Sequence, residues 1–169
     1  LFALQAAEYA QLQARIEAIE TRLMAWHRAD ECSRRLAGIP GVGPIGASLL
    51  VMKTPSPDLF RSGRDFAAWI GLTPRDHSTA GKVRLGVITR AGDEMLRSTL
   101  VTGATALLQH VRAGRGSNAS PWLLDLLERK PPKLVAIALA NKIARTAWKM
   151  MVTGDSYARP AAPTPANAA

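Results

Sequence analysis

The sequence predicts a mainly α protein: an N-terminal coiled-coil helix followed by a helical domain containing a helix-hairpin-helix and a Gly-rich loop. Three observations predict it. Apolar residues recur every 3.5 positions at the start of the chain. Pro40-Gly41-Val42-Gly43 then separates two apolar helical patterns, and most of the remaining chain repeats with helical period between proline and glycine breaks.

Phe2, Gln5, Tyr9, Leu12, Ile16, Ile19, Leu23 and Trp26 are spaced alternately by three and four, the seam of a coiled coil with Gln5 as its polar member. The pattern fails at Asp30. Residues 1–32 therefore read as a dimerising or interdomain coiled-coil helix, the alternative being a helix packed on its own domain. The pattern is already under way at Leu1, without an initiator Met, so further sequence is expected upstream.

Residues 33–152 read as one helical domain. Its first feature, Leu36-Ala-Gly-Ile-Pro-Gly-Val-Gly-Pro-Ile-Gly-Ala-Ser-Leu-Leu50, has the form of a helix-hairpin-helix, with Ile45, Leu49 and Met52 on one side of the second helix. Gly41 and Gly43 would let a nucleic-acid backbone approach closely, and N–H groups at the second helix's start can receive a phosphate. A tight turn between two core helices is the alternative. Ser62-Gly-Arg-Asp65 is a capping box for a short helix over 66–70, closed by Gly71. No helical period runs through 72–92, where Val83, Leu85, Val87 and Ile88 fit a strand or hairpin arm. A long helix over 93–112 comes next, with Met95, Leu96, Leu100, Leu107 and Val111 as apolar positions, and then a flexible loop over 114–118. Ser120 and Pro121 supply an N-cap and first-turn proline for a helix to about 130. Pro131-Pro132 breaks it, and a last helix covers 133–151. The Pro- and Ala-rich stretch 153–169 reads as a disordered tail.

Charge points to the partner. The chain has 22 Lys+Arg against 13 Asp+Glu, a formal net +9. Residues 1–36 balance five against five, whereas 112–149 carry eight basic and two acidic side chains. Such an excess favours a polyanion, with DNA or RNA ahead of an anionic membrane. No apolar run reaches the ~18 residues needed to span a bilayer, and no signal peptide is visible. A cytoplasmic protein without a membrane partner is expected. Cys32 is alone, which excludes a disulfide framework and a cysteine metal cluster within the chain. Lys142, Arg145 and Lys149 share one face of the last helix, opposite Leu139, Ile143 and Met150, as a phosphate-binding stripe or simply a solvated face. Trp69, Trp122 and Trp148 read as core, and His27 and His110 as packing or surface residues.

The stretch Gly71-Leu-Thr-Pro-Arg-Asp-His-Ser-Thr-Ala-Gly-Lys-Val-Arg-Leu-Gly-Val-Ile-Thr-Arg-Ala-Gly-Asp-Glu-Met-Leu-Arg97, with Ile39-Pro-Gly-Val-Gly43 and Phe66-Ala-Ala-Trp-Ile-Gly71 before it, resembles a known domain. It is similar to the C-terminal transposase domain of bridge-RNA-guided insertion-sequence transposases, which pair an N-terminal RuvC-like domain with a C-terminal serine-bearing one. The resemblance covers roughly 33–151. It implies DNA transposition or site-specific recombination, with the Gly-rich loop as a catalytic loop and Ser78 as the nucleophile. Thr79 is a backup hydroxyl, since some relatives place serine one position later. The chain departs from the pattern at Arg90, where Lys is common, and at Ala80, where a second glycine is usual. The resemblance further implies a structured guide RNA beside DNA, while the coiled-coil seam argues for a homo-oligomer, dimer or tetramer. It implies no cofactor in this chain, with Mg2+ in the RuvC-like domain, whose spaced acidic residues do not occur here.

The residues make such chemistry plausible. Serine is a weak nucleophile that needs a proton acceptor, and phosphoryl transfer needs cations on the equatorial oxygens. His77 is a candidate base or phosphate-orienting group. Arg75, Lys82, Arg84, Arg90 and Arg97 are candidate nucleic-acid-binding residues around it, as are Gly41, Gly43, Lys142, Arg145 and Lys149 elsewhere. Asp76 reads as a solvated loop charge, or as a partner for a basic residue or a metal. The alternative function is a noncatalytic helix-hairpin-helix module or degenerate transposon relic in which Ser78 is only a turn residue.

Overall fold

The computed structural model describes residues 2–79, 82, 84–115 and 119–158. Its elements run α1 (Phe2–Ala29), α2 (Glu31–Leu36), α3 (Pro44–Lys53), a 3-10 turn (Pro57–Leu59) and α4 (Gly63–Ile70). Then come β1 (Pro74–Asp76), β2 (Leu85–Ile88), α5 (Glu94–Arg112), α6 (Pro121–Arg129) and α7 (Pro132–Thr153). The mainly helical class is as the periodicity predicts, and the non-helical stretch 72–92 becomes a two-stranded antiparallel ribbon.

Helix α1 is exposed from Phe2 to Arg22, so its apolar seam has no cover among the described residues; Phe2 is 87% and Ile19 64% exposed. It meets the body only at its C-terminal end, where Leu23, Met24 and Trp26 are half-buried. Asp30 stops it by capping α2, its Oδ1 accepting the Ser33 N–H at 2.6 Å. At this joint three buried polar side chains satisfy one another. His27 Nδ1 lies 2.7 Å from Ser33 Oγ, which lies 3.4 Å from Ser48 Oγ on α3.

Helices α5 and α7 cross at the centre, with α2, α3 and α4 packed around them. Phe66, Ile70, Leu72, Leu96, Leu100 and Val135 are fully buried. Four buried alanines on α7, Ala136, Ala140, Ala144 and Ala147, let its neighbours approach closely. Phe60 meets Phe66 edge-on at 5.1 Å and Trp69 at 5.4 Å, closing the side of the core over α4. Two side chains of α7 tie loops to it: Asn141 Nδ2 donates to the Leu72 carbonyl at 3.2 Å and Trp148 Nε1 to that of Pro57 at 3.0 Å.

The hairpin between α2 and α3 forms, but its outward face differs from its inner one. Gly41, at φ +85°, turns against α5, where a Cβ on Gly103 would lie 1.9 Å from the Gly41 carbonyl oxygen. Ile45 and Met52 are exposed, and the buried side of α3 is Gly46, Ala47, Ser48 and Leu50. Several expected details change. Met95 is exposed, because the inward face of α5 is Leu96, Leu100, Ala104 and Leu108. Helix α4 begins at Gly63, with the Ser62 hydroxyl accepting the Asp65 N–H as the capping box requires. Ser120 opens α6 without a side-chain cap bond. Helix α7 runs to Thr153 and ends on Gly154 at φ +74°. Tyr157 still packs partly against the core, so ordered structure continues into the stretch read as tail. Ala80, Gly81, Val83, residues 116–118 and residues 159–169 lie outside the described residues.

Two outcomes test this packing. Gly103→Ala must push α5 off the hairpin and should destabilise by about 1–3 kcal/mol or more in chemical denaturation. Gly43→Ala, which meets open space at an ordinary backbone angle, should cost only the poorer N-cap, about 1 kcal/mol or less. Asp93 caps α5 through Oδ1 and pairs with Lys53 Nζ at 2.6 Å through Oδ2. The Lys53 ammonium, then the Leu96 N–H, hold its carboxyl below the usual range. Its contribution is therefore full above the ordinary carboxylate pKa and is lost as pH falls through the lowered one. The melting temperature of Asp93→Asn, which keeps the cap acceptor, should fall less steeply with acid than that of the wild type.

Candidate functional site

The ribbon β1–β2 leaves the body between α4 and α5, and its base is set by backbone packing. Gly71 ends α4 at φ +82°, and its carbonyl accepts the Arg90 N–H at 3.2 Å. Arg90 is itself left-handed at φ +55°, an uncommon state for a side-chain-bearing residue. A Cβ on Gly92 would lie 1.8 Å from the Trp69 carbonyl oxygen, so only glycine fits there. Arg97 Nη1 donates to the carbonyls of Ile70 at 3.0 Å and Gly92 at 3.3 Å, joining the last turn of α4 to the entry of α5.

Above the base, Pro74 pairs with Ile88 and Asp76 with Leu85, with one register shift between them. The His77 N–H donates to the Arg84 carbonyl at 2.8 Å, and Thr79 bridges Lys82. The end of the ribbon is fixed by Ser78 and Asp76. The Ser78 backbone N–H donates to Asp76 Oδ1 at 2.8 Å, and the Ser78 Oγ accepts the Arg84 backbone N–H at 3.1 Å. Hydrogen bonding from the Ser78 side chain, then from its backbone N–H, holds the Asp76 carboxyl below the usual carboxylate range, the His77 charge adding least. The His77 ring lies elsewhere, over Gly86: a Cβ on that glycine would come within 3.0 Å of its Cδ2 and 3.1 Å of its Nε2.

The candidate cations divide between the ribbon and the body. Arg75, Lys82 and Arg84 are exposed along the ribbon with Asp76, His77, Ser78 and Thr79. Arg75 reaches the Thr89 carbonyl at 3.5 Å, and Arg90 is exposed at the base. Arg97 is half-buried and engaged with carbonyls. On α7, Lys149 is exposed, whereas Lys142 and Arg145 are half-buried. Lys142 Nζ sits 4.1 Å above the Trp122 ring, and desolvation there, with repulsion from Arg145, pushes its ammonium pKa down. Trp122 is thus a half-exposed platform under a lysine rather than core. Arg145 packs against Gly63 through its Cα and Cβ, and its buried Nε has no partner among the described residues. Asn141, bonded to Leu72, places the start of this basic stripe by the foot of the ribbon. Gly41 is occupied by Gly103, but Gly43, N-cap of α3, faces open space.

Sequence reasoning missed two relationships. Asp76 is held by Ser78, a spacing of two that an Asp-x-Ser turn could have signalled. The Lys142–Trp122 stack joins residues twenty apart and leaves no local signal. Among the described residues no three His, Cys, Asp or Glu side chains gather as a metal site. Among the same residues no helix is long and apolar enough to cross a membrane.

The ribbon thus presents a serine and exposed cations at its end, on a helical body. Residues 33–118 match the transposase IS116/IS110/IS902 family, and the chain belongs to that family. It is 72% identical over 157 residues to a protein of Sinorhizobium fredii named as a transposase, covering 93% of this chain and 41% of that protein. It is 40% identical over 151 residues to the transposase for insertion sequence element IS1328 of Yersinia enterocolitica, covering 89% of this chain and 45% of the relative. It is 38% identical over 152 residues to the transposase for insertion sequence element IS1111A of Coxiella burnetii, covering 88% and 42%. The chain spans less than half the length of these curated relatives.

Arg97 should prove a positioning residue for the ribbon. Losing a hydrogen bond from a charged donor costs about 1.5–3 kcal/mol. In Arg97→Ala the Thr89 and Arg90 amides should therefore exchange with solvent at least about tenfold faster, with α7 protection retained. Uniform loss of protection would place Arg97 in the global core instead.

Proposed function

We propose that this chain is the serine-bearing half of a DNA transposase or site-specific recombinase, and that Ser78 attacks a DNA phosphodiester. The observation that carries the reading is the placement of Ser78, in a member of a transposase family, on an exposed ribbon with Arg75, Lys82 and Arg84. In the attack, an Oγ–P bond forms and the bond from phosphorus to one deoxyribose oxygen breaks. The phosphoserine diester conserves the energy of the broken link, so rejoining needs no nucleotide. Cations along the ribbon neutralise the phosphoryl oxygens as charge develops. Thr79, one position on, is the backup hydroxyl, and His77 orients the phosphate.

The rest of the surface supports binding to DNA and to a structured guide RNA. Arg90, Lys142, Arg145 and Lys149 offer phosphate contacts, and the open N-cap at Gly43 offers another. Lys142 and Arg145 are half-buried beside each other, and a phosphate between them would relieve both the repulsion and the unpartnered Nε. The uncovered seam of α1 suits a homo-oligomer, dimer or tetramer. Mg2+ belongs to a RuvC-like half outside the described residues, and the bacterial cytoplasm, at the nucleoid, is where such an assembly would work.

The test is strand exchange by the full-length transposase with its guide RNA, reading covalent protein–DNA adduct on denaturing gels and by mass spectrometry. Ser78→Ala should abolish the adduct while keeping DNA affinity within about threefold, since a neutral side chain adds no phosphate charge contact. An adduct that survives in Ser78→Ala and vanishes in Thr79→Ala reassigns the nucleophile. Binding with no adduct in any form, under conditions of measured strand exchange, would identify a noncatalytic module.

A further inference from the structure

We infer that Trp122, Lys142 and Arg145 form a site for one unpaired nucleotide, the base stacked on the indole and the phosphate held by the two cations. The inference rests on the reading of this chain as one that binds nucleic acid, and not on the role of Ser78. Trp122 is the second residue of α6 and is 37% exposed. Lys142, on α7, holds its Nζ over the ring at 4.1 Å from the centroid. An aromatic face with a cation on it, at the surface of a basic protein, is the arrangement that single-stranded nucleic acids use.

The lysine is a replaceable cover. A cation over a partly exposed ring is only weakly held. Here the ammonium is also partly desolvated and repelled by Arg145, and both effects push its pKa down. The flexible stem of a lysine lets the ammonium swing off the ring without any movement of α7. Arg145 has less freedom, because its Cα and Cβ pack against Gly63. Its Nε is buried with no partner among the described residues, so the guanidinium is under-satisfied where it stands. A phosphate at the accessible edge of that guanidinium offsets the deficit, and it gives the displaced ammonium an anion to bind. Base and phosphate therefore act together: the base takes the ring face as the lysine leaves it for the phosphate.

The ligand class follows from the same geometry. A flat apolar face beside two cations matches a flat ring joined to an anion, which is what each nucleotide unit offers. In a duplex both faces of a base are already stacked on neighbours, so only an unpaired base can take the indole. Ser120 opens α6 with no side-chain cap bond, so the helix start next to Trp122 is open to a further phosphate. Residues 112–149 carry eight basic and two acidic side chains, which attract the phosphates on either side. Asn141, the residue before Lys142, is bonded to the Leu72 carbonyl, which sets the site next to the foot of the ribbon.

The test is equilibrium binding by the full-length transposase without guide RNA. The probes are labelled oligothymidylate and oligouridylate of about ten nucleotides, within the span of one such groove, and a hairpin duplex of similar length. Trp122→Ala should weaken single-strand binding roughly 5–100-fold, the loss expected for one stacked base, with duplex binding nearly unchanged. Trp122→Leu keeps apolar bulk on α6 without an aromatic face, and it should lose as much. Trp122→Phe should lose less. Salt separates the ring from the cations. Trp122→Leu should leave the slope of log Kd against log salt unchanged, because stacking releases no counterion, whereas Lys142→Ala should reduce it by about 0.7. The sugar of the tighter oligomer assigns the nucleotide to a DNA strand or to RNA. Trp122→Leu that binds the single strand as wild type does overturns the inference. An equal loss for single strand and duplex overturns it too, since that marks Trp122 as structural. Wild type that binds only the duplex overturns this inference alone, and wild type that binds no probe overturns the nucleic-acid reading with it. Ser78→Ala should bind every probe as wild type does, so a failed serine assignment would leave the result standing.

Discussion

The ribbon that presents Ser78 has no core of its own, and its placement depends on a backbone contact at its base. Every described residue from Pro74 to Val87 is exposed, so hydrophobic burial cannot hold the ribbon in one direction. Instead Gly92 lies directly against the Trp69 carbonyl, closer than any side chain would allow, and Arg97 bonds the carbonyls on either side of that contact. The two legs of the ribbon thus leave from adjacent points on a rigid pair of helices. Asn141 reinforces this from α7 by holding Leu72, two residues before β1 begins. A site on an exposed ribbon keeps a fixed orientation only when its anchor is this specific, because a mobile loop loses positional precision.

The same reliance on close backbone approach recurs at the helix-hairpin-helix, where Gly41 meets Gly103 of α5. A glycine in the middle of a helix costs roughly 1 kcal/mol of helix propensity. Helix α5 accepts that cost at Gly103, and the hairpin can then sit directly on the helix that also receives the ribbon. Hairpin and ribbon are therefore both registered to α5. The joint at His27, Ser33 and Ser48 extends the registration to α1, so the long exposed helix is fixed in direction by a buried polar contact as well as by apolar packing. Polar groups buried at a helix joint favour one geometry, because any other leaves them unsatisfied.

Much of this is legible in the sequence, and the failures have physical reasons. The capping box at Ser62 and the left-handed stop at Gly71 depend on neighbours three residues away, and both can be read directly. The hairpin arm is visible from Leu85, Val87 and Ile88 because the stretch breaks helical period. Met95 is misplaced by the pattern because it borders the apolar stripe of α5, and only the crossing with α7 decides that Leu96 and Ala104 lie inward. Trp122 reads as core because its covering partner, Lys142, lies on another helix. The contact of Gly41 with Gly103 has no local signature at all, since glycine offers no side chain to pattern. At the site, composition singles out Ser78 and its cations, and a preference for imidazole as base draws attention to His77. The Asp-x-Ser spacing, read as a turn, sets the Asp76 carboxylate against the Ser78 N–H.

Exposure of Ser78 and its cations bears on how the proposed site would work. In water the ribbon's cations and the Asp76 carboxylate act through a high dielectric, which weakens each charge pair. When a nucleic acid covers the ribbon, water is displaced and the same charges act several times more strongly, while phosphates replace water as their partners. Charges that act weakly in water and more strongly under a polyanion need no burial in the folded chain. Its cations oppose one another until phosphate arrives, and Asp76 offsets part of that repulsion from within. A carboxylate beside the serine would ordinarily repel a phosphodiester. Here it is outnumbered along the ribbon by Arg75, Lys82 and Arg84, so the ribbon still attracts a polyanion.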